Sequence, residues 1–372
     1  MNEGIKEKDK GKRWAGLTKP ESLALFPFFL YPLSSPRVPQ ELKATLQQNR
    51  KPTSSAPILC LTGPTAAGKT RIALELARDH DFEIISVDSA LVYRGLDIGS
   101  GKPEKETLAQ FPHHLVDIRD PAQAYSAAEF RHDAIEAAEK ILKAGKRPLL
   151  VGGTMLYFKV LRDGLAQMPA ANPQARLKIQ ALAEESGWEA VHKRLAEVDP
   201  EAAARIHPND PQRLMRALEV FESSGKALSE HHRDENLKQN DLPDFMSNLV
   251  FVAIHPEKRS TLHEHIAERF RQMLEQGFVE EVKVLYERAD LHRDLPAIRS
   301  VGYRQIWDYL DGQYDYDTMV DKGLAATRQL AKRQLTWLRS WPELHRLDVE
   351  MHTENENIVN KCLNILLSST IY

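Results

Sequence analysis

The chain has 372 residues, enough for about two domains or one larger α/β domain carrying an insertion. With 42% hydrophobic and 28% charged residues, it is excluded as a disordered, collagen-like or coiled-coil chain. Its 50 Lys+Arg against 53 Asp+Glu give a net charge of −3, which excludes a polycation that binds nucleic acid by bulk charge and leaves only a local basic stripe available.

That balance is uneven along the chain. Residues 1–57 hold 10 Lys+Arg against 5 Asp+Glu and the rest 40 against 48, so the extension is +5 and the body −8. The early apolar run Leu23–Leu33 is about half the ~20 residues that span a bilayer, Pro27 and Pro32 interrupt it, and no small-x-small cleavage site follows. Residues 1–55 are therefore expected to be a disordered, Pro-rich extension or sequence ahead of the true start, outside the fold. The two cysteines, Cys60 and Cys362, cannot by themselves form a zinc site or a disulfide framework, which fits a reducing, cytoplasmic setting and no membrane.

Folded sequence begins at Ile58, where ILCLTG reads as a buried parallel strand ending in a glycine. A helix follows, with Ile72, Ala73, Leu76 and Ala77 on one face. FEIISVDS (82–89) and PLLVGGT (148–154) read as further strands, the latter preceded by a helix over Ala127–Leu142, and LVFVAIH (249–255) as a fourth. Strand and helix in alternation imply a parallel sheet. Between the third and fourth strands the chain reads as helices from Asn172 to Gly225. There Asp210-Pro211 supplies an N-cap and a first-turn proline, Leu214, Leu218 and Phe221 a buried face, and Gly225 a stop. After the fourth strand, Leu262, Ile266 and Met273 mark a helix ended by Gly277, and Leu324, Ala331, Leu335 and Leu338 mark a last one.

The fold class is thus α/β: a P-loop NTPase-like parallel sheet flanked by helices, with a helical insertion domain and a helical C-terminal part. The expected organisation is a first part of the core at 56–168, an insertion at 169–226, the remainder of the core with C-terminal helices at 227–348, and a tail at 349–372.

GPTAAGKT, Gly63 to Thr70, fits G-x-x-x-x-G-K-[ST] between a strand and an amphipathic helix. Such a loop curls so that successive backbone N–H groups of Gly63, Pro64's neighbours Thr65, Ala66 and Ala67, and Gly68 can meet phosphate oxygens at a helix N-terminus. Lys69 adds a point charge, and the Thr70 hydroxyl is placed to ligate Mg²⁺ bridging the same phosphates. The motif carries an ATP-binding signature but does not name the phosphate.

Asp88 ends the second strand, and in an open parallel sheet that end faces the ligand crevice; a carboxylate capping the next turn is the alternative. Thr154 ends the third strand by the same rule, either at the crevice or as a plain strand-end threonine. Arg213 and Arg216 could clamp a phosphate from the side opposite Lys69, or form a solvated helix face. His113, His114 and Asp117 lack a third histidine at ligand spacing, so no metal is expected there. The last helix carries Arg328, Lys332 and Arg339 against an apolar face, and Arg299, Tyr303, Arg304 and Trp307 lie nearby. That mixture suits single-stranded RNA, or else a charged surface over core aromatics.

GPTAAGKT, ISVDSALVYRGLDIGSGKP, PHHLVDIRDPAQAYSAAEF, PLLVGGTMLYFKVLRDGL, RIHPNDPQRLMRALEV, SVGYRQIWDYLDG and ATRQLAKRQLTWLR together cover most of the chain. In that order they resemble the tRNA dimethylallyltransferase family, also called tRNA isopentenyltransferases, of the bacterial type. The resemblance implies transfer of a dimethylallyl group from dimethylallyl pyrophosphate to N6 of the adenosine beside the tRNA anticodon. The cradle, with Arg213 and Arg216, would then hold pyrophosphate with Mg²⁺. Asp88 would be the base, paired with Thr154. The implied tRNA contacts are Asp88, Ser89, Ala90, Leu91, Thr154 and Arg176, then Gln212, Arg213, Leu214, Met215 and Arg216 on the insertion. Further contacts are Arg299, Ser300, Val301, Gly302, Tyr303 and Arg304, and, on the last helix, Lys332, Arg333, Gln334, Leu335, Thr336, Trp337, Leu338 and Arg339. The partner would be the anticodon stem-loop, and the protein a monomer. Ala67 departs from a serine common in the family, which matters little because the cradle's donors are mainly backbone N–H groups. The competing readings are a P-loop nucleotide kinase, an isopentenyltransferase acting on free adenine nucleotide, and an RNA-binding module without catalysis.

Overall fold

The computed structural model describes residues 56–164, 168–235, 242–349 and 355–369. The extension 1–55, expected above to be disordered or mis-started, lies outside the described residues. In chain order the elements are β1 (Ile58–Thr62), α1 (Lys69–Asp79), β2 (Phe82–Val87), α2 (Lys105–Gln110), β3 (His113–His114), α3 (Ala127–Lys143), β4 (Arg147–Gly152) and α4 (Met155–Asp163). The insertion supplies α5 (Pro173–Val198), α6 (Pro200–Arg205), α7 (Pro211–Ser224) and α8 (Leu228–Glu235). After a short 3₁₀ turn come β5 (Leu249–Pro256), α9 (Arg259–Glu275), α10 (Phe278–Tyr286), α11 (Tyr303–Leu310), α12 (Tyr316–Arg339), β6 (Leu344–Val349) and α13 (Asn355–Ser368).

All strand pairs are parallel, in the order β3-β2-β4-β1-β5-β6. Every residue of β1 is buried, as it must be in a strand with neighbours on both edges and helices on both faces. Its register, Leu59↔Leu149 and Cys60↔Phe251, brings the C-terminal ends of β1 and β4 level, while β5 runs past them to Pro256. One face packs against α3, α4 and the helices after β5, with Ile85, Phe130, Phe158, Phe251 and Ile306 in its core. The other is covered by α1 and α13, through Leu59, Leu61, Ile72, Leu76, Cys362 and Leu363.

Four of the strands follow the apolar runs. The other two do not announce themselves: β3 is two half-buried histidines that become a strand only by pairing with β2, and β6, LHRLDV, is an edge strand with just Val349 buried. The helix ending at Arg339 is not the last. Residues 349–372, set apart above as a tail, carry α13, whose Ile358, Val359, Cys362, Leu363 and Leu366 complete the second core. Burial pushes the Cys362 thiol up to about 12, so it acts as a small apolar group.

The insertion folds about its own core of Ile179, Val191, Leu195, Leu214 and Leu218. Asn172 caps α5 by accepting from Gln174 and Ala175 N–H (both 3.1 Å), and Asp210 caps α7 by accepting from Arg213 N–H (3.2 Å). Gly187, at φ 79°, breaks α5, and Gly225, at φ 68°, ends α7 as expected. The two long helices are joined by Glu219, whose side chain is fully buried. It accepts from Arg176 Nε (2.7 Å), Arg216 Nη1 (2.8 Å) and Asn172 N–H (2.8 Å). Burial would raise this carboxyl, but the bonds from Arg176, Arg216 and Asn172 outweigh it and hold it below the usual range.

Because Leu363 is fully buried between α13 and the sheet, Leu363→Ala is expected to lower stability by about 2–4 kcal/mol. Urea unfolding measures this, and a loss under about 0.5 kcal/mol would show that α13 is not part of the core.

Candidate active site

The site is assembled at the C-terminal edge of the sheet, where a parallel sheet presents its strand ends to ligand. From β1 the chain turns through Gly63, whose φ of +147° and approach to β5 admit no side chain: a Cβ there would lie 2.5 Å from the Ile254 carbonyl oxygen. Ala66 (φ 63°) and Gly68 (φ 83°) complete the curl into α1. Lys69 Nζ donates to the carbonyls of Gly63 (3.0 Å) and Pro64 (2.8 Å). Burial lowers its pKa to about 8, partly opposed by the nearby Asp88 carboxylate and reinforced by Arg269. Thr70 is exposed at the mouth of the loop, and its hydroxyl has no partner among the described residues.

Asp88 and Thr154 stand on neighbouring strand ends, since β2 pairs with β4 through Val87↔Gly152. Asp88 Oδ1 accepts from the N–H groups of Ala90 (2.8 Å) and Leu91 (3.3 Å). It therefore does cap the following turn, while Oδ2 has no hydrogen-bond partner among the described residues. Thr154 Oγ1 accepts from Ser89 N–H (3.1 Å) and N-terminates α4. The carboxylate and hydroxyl thus share one small turn, beside an ammonium held in the cradle.

Arg269 on α9 completes this group. Its charge is felt by Lys69 and it feels that of Asp88, and its guanidinium occupies the space that a Cβ on Gly101 would need, only 1.9 Å from Nη2. Desolvation, the largest influence on it, lowers its pKa from a value so high that it remains a cation. Sequence reasoning missed it. The available signal was position: Leu262, Ile266, Arg269 and Met273 follow one another at i, i+4, i+7 and i+11, so an arginine lies on a buried helical stripe. The structure places Arg269 beside Lys69 and Asp88, while Arg213 and Arg216, expected to clamp a phosphate opposite Lys69, make their ion pairs within the insertion. Arg213 is exposed and faces Asp210 (3.4 Å), and Arg216 is tied to Glu219 and the Pro169 carbonyl.

The Gly101 loop is itself anchored. Glu281 on α10 accepts from the N–H groups of Asp97 (3.1 Å), Ile98 (2.6 Å) and Gly99 (3.2 Å) and from the Tyr303 hydroxyl (2.6 Å), which in turn accepts from Ser100 N–H. Tyr303 and Trp307 are buried, so neither ring is offered to a base; Tyr303 supports the loop from beneath, and Trp307 packs edge-on against Tyr286.

The remaining expected contact residues fall into two groups. Arg299 reaches Gln212 on α7 (3.0 Å), so the stretches 212–216 and 299–304 meet although far apart in sequence. On α12, Arg328, Lys332, Arg333, Thr336, Trp337 and Arg339 are exposed and Gln334, Leu335 and Leu338 buried. Leu214 is also buried, and Gly302 adopts φ 91° against Phe278. Ser89 and Arg176 are exposed, and Ala90, Leu91, Met215, Ser300, Val301 and Arg304 half-buried. Buried members of these stretches shape the surface from within and cannot themselves touch a bound partner. Among the described residues His132, Asp133 and Glu136, on α3, form the sole cluster of metal-binding type. His114 is engaged by Glu83 (2.6 Å).

A sequence model for IPP transferase matches residues 91–341, two thirds of the chain. This protein belongs to the IPP transferase family. Among solved structures it is similar to the full-length tRNA isopentenylpyrophosphate transferase of Bacillus halodurans, with 33% identity, a TM-score of 0.61, and coverage of 85% of this chain and 98% of that one. It is likewise similar to the tRNA delta(2)-isopentenylpyrophosphate transferase of Staphylococcus epidermidis, with 30% identity, a TM-score of 0.59, and coverage of 84% and 100%. A eukaryotic dimethylallyltransferase acting on tRNA shares the fold at 24% identity and a TM-score of 0.66, over 80% of this chain and 74% of that one. This IPP transferase has no helix, among its described residues, long and apolar enough to cross a membrane.

Lys69 is poised to change charge in the working pH range. A phosphate that favours its protonated form binds most tightly below about pH 8 and loses roughly tenfold in affinity per pH unit well above it. Calorimetric titration with inorganic pyrophosphate should show this fall in the wild type and not in Lys69→Arg, whose guanidinium stays charged. Equal profiles would separate Lys69 from the ligand.

Proposed function

We propose that this enzyme transfers the dimethylallyl group of dimethylallyl pyrophosphate to the exocyclic N6 of the adenosine adjacent to the anticodon in tRNA, giving N6-(dimethylallyl)adenosine and pyrophosphate. The observation that carries the proposal is the placing of a phosphate cradle, Gly63–Thr70, beside a carboxylate and hydroxyl, Asp88 and Thr154, on neighbouring strand ends of a chain of this family.

Breaking the allylic C–O bond builds negative charge on the leaving pyrophosphate. Arg269, Lys69 in its protonated form and the loop N–H groups other than those of Thr65 and Ala67, which are already bonded to Gln334 and the Pro64 carbonyl, are placed where that charge would appear. Magnesium fits the exposed Thr70 hydroxyl at the cradle's mouth, and when bound supplies additional charge neutralisation to the pyrophosphate. Adenine N6 is a weak nucleophile because its lone pair is delocalised into the ring. A base that takes its proton as the C–N bond forms is worth about 10²–10⁴-fold. Asp88 suits this role: Oδ1 is pinned by two N–H groups, which leaves Oδ2 to face the acceptor, and Thr154 on the same turn can orient the amino group.

The acceptor base must leave its stack, which costs little in a loop already single-stranded. The exposed cations of α12, with the exposed Arg299 and Arg213, suit the backbone of an anticodon stem-loop approached by a monomer in the cytoplasm. A kinase reading is less well supported, since family membership favours prenyl transfer.

Asp88→Asn retains the Oδ1 cap but not the base. It is expected to lower the single-turnover rate of labelled prenyl transfer to unmodified tRNA at least ~10²-fold with tRNA affinity within threefold. A near wild-type rate would remove Asp88 as base, and phosphorylation of nucleotide with no prenyl transfer by the wild type would overturn the function. Replacing Lys332 and Arg339 together with glutamine should weaken tRNA binding irrespective of sequence and flatten log Kd against log salt by about 1–2 in slope. An unchanged slope would place the RNA elsewhere.

A further inference from the structure

Gln334 stands within the most basic stretch of α12, between Arg333 and Leu335, yet it is only 7% exposed. Its carboxamide turns inward. Oε1 accepts from the backbone N–H of Thr65 in the phosphate cradle (2.8 Å), and Nε2 donates to the carbonyl of Gly153, just before Thr154 (3.0 Å). The partners settle the amide orientation, since an N–H can meet only the oxygen and a carbonyl only the NH₂.

The fit is close on the Gly153 side. A Cβ at Gly153 would lie 2.3 Å from Gln334 Nε2 and 3.5 Å from the Gly63 carbonyl oxygen, so cradle, strand-end turn and carboxamide converge on a point that only glycine leaves open. Up to Leu61↔Val151 the spacing of β1 and β4 is set by their ladder. Beyond it the two chains part, one into Gly63–Gly68 and the other into Gly153 and Thr154. Apart from the Thr62 hydroxyl on Met155 Sδ (3.4 Å), the direct polar tie between the two loops among the described residues is the Gln334 carboxamide.

We infer that Gln334 is a positioning residue for the transfer reaction: it sets the register of the phosphate cradle against the Asp88–Thr154 turn and does not contact RNA. The inference rests on the functional reading above, in which the cradle holds the leaving group and that turn serves the nucleophile. Their separation is then the geometry of the displacement itself, and errors of about 1 Å in such geometry cost up to ~10²-fold. A carboxamide supplies one acceptor and one donor at once. Glutamate would keep the acceptor for Thr65 but set a negative oxygen against the Gly153 carbonyl, and methionine would keep the volume and lose both bonds. Because the same helix exposes Lys332, Arg333 and Trp337, RNA seated on its outer face would bear on the element that braces the cradle from within.

The test compares full-length wild type, Gln334→Met and Gln334→Glu with labelled dimethylallyl pyrophosphate and unmodified tRNA, both saturating, in single turnover. Gln334→Met is expected to lower the rate constant about 10- to 100-fold, with tRNA Kd within twofold and an unchanged fraction of folded protein by circular dichroism. For Gln334→Glu, the rate relative to wild type should climb as pH falls from about 8 to about 6, because a protonated carboxyl regains the donor for Gly153. A normal rate constant with weakened tRNA binding would make Gln334 an RNA contact and overturn the inference, as would a loss accounted for wholly by unfolded protein. If the wild type itself transfers nothing to tRNA, the functional reading fails. The strut is then judged by pyrophosphate affinity with Mg²⁺, where a fall of about tenfold or more in Gln334→Met supports it and equal affinity overturns it.

Discussion

The parallel pairing of Ile58–Thr62 between two strands distant in sequence is the constraint on which the rest of this protein depends. A strand so placed has no free edge and no exposed face, so it is apolar up to its last residue, Thr62, and the chain can turn only after it has cleared the sheet. The turn therefore falls at the ligand-facing edge, where Gly63 passes so near the Ile254 carbonyl that no side chain would fit. Beside it, Arg147–Gly152 and Phe82–Val87 end at the same level, and their first loop residues carry the hydroxyl and the carboxylate. Position in the sheet, more than any single contact, puts a cation, an acid and an alcohol in one crevice.

What could be read from the sequence was whatever local physics must satisfy locally. The cradle is written in glycines and a lysine between two apolar segments, the insertion in Asn172, Asp210-Pro211 and Gly225, and Asp88 and Thr154 in their places at strand ends. What could not be read was set by distant partners. His113 and His114 become a strand because β2 offers an edge, and LHRLDV, polar at half its positions, joins the sheet because β5 does. Arg269 and Gln334 each lie on the apolar stripe of their helix, which turns them inward, but the groups they meet there, Asp88 and the Thr65 and Gly153 backbone, are far away in sequence. Arg216 meets Glu219, which is so deeply buried that the guanidinium is committed to holding the insertion together.

That commitment also bears on charge. The body of the chain is acidic, yet the exposed face of the helix Tyr316–Arg339 is basic over its last turns. Many other arginines are spent internally: Arg176 and Arg216 on Glu219, Arg288 on Asp120 and Asp290, Arg293 on Asp308. Net charge counts all of these equally, although a partner would meet only those left facing the crevice.

The loop around Gly99 has a further consequence. Three successive N–H groups, those of Asp97, Ile98 and Gly99, converge on one spot together with a phenol, which is the donor arrangement of an oxyanion receptor. It lies in the loop that also carries Gly101 against Arg269, so a free receptor there would compete with the cradle for any phosphate drawn toward that guanidinium. Glu281 fills it with a carboxylate from the protein's own chain. The molecule thus stoppers with its own carboxylate a donor nest that could otherwise take an anion, which keeps negative charge drawn toward Arg269 from settling there.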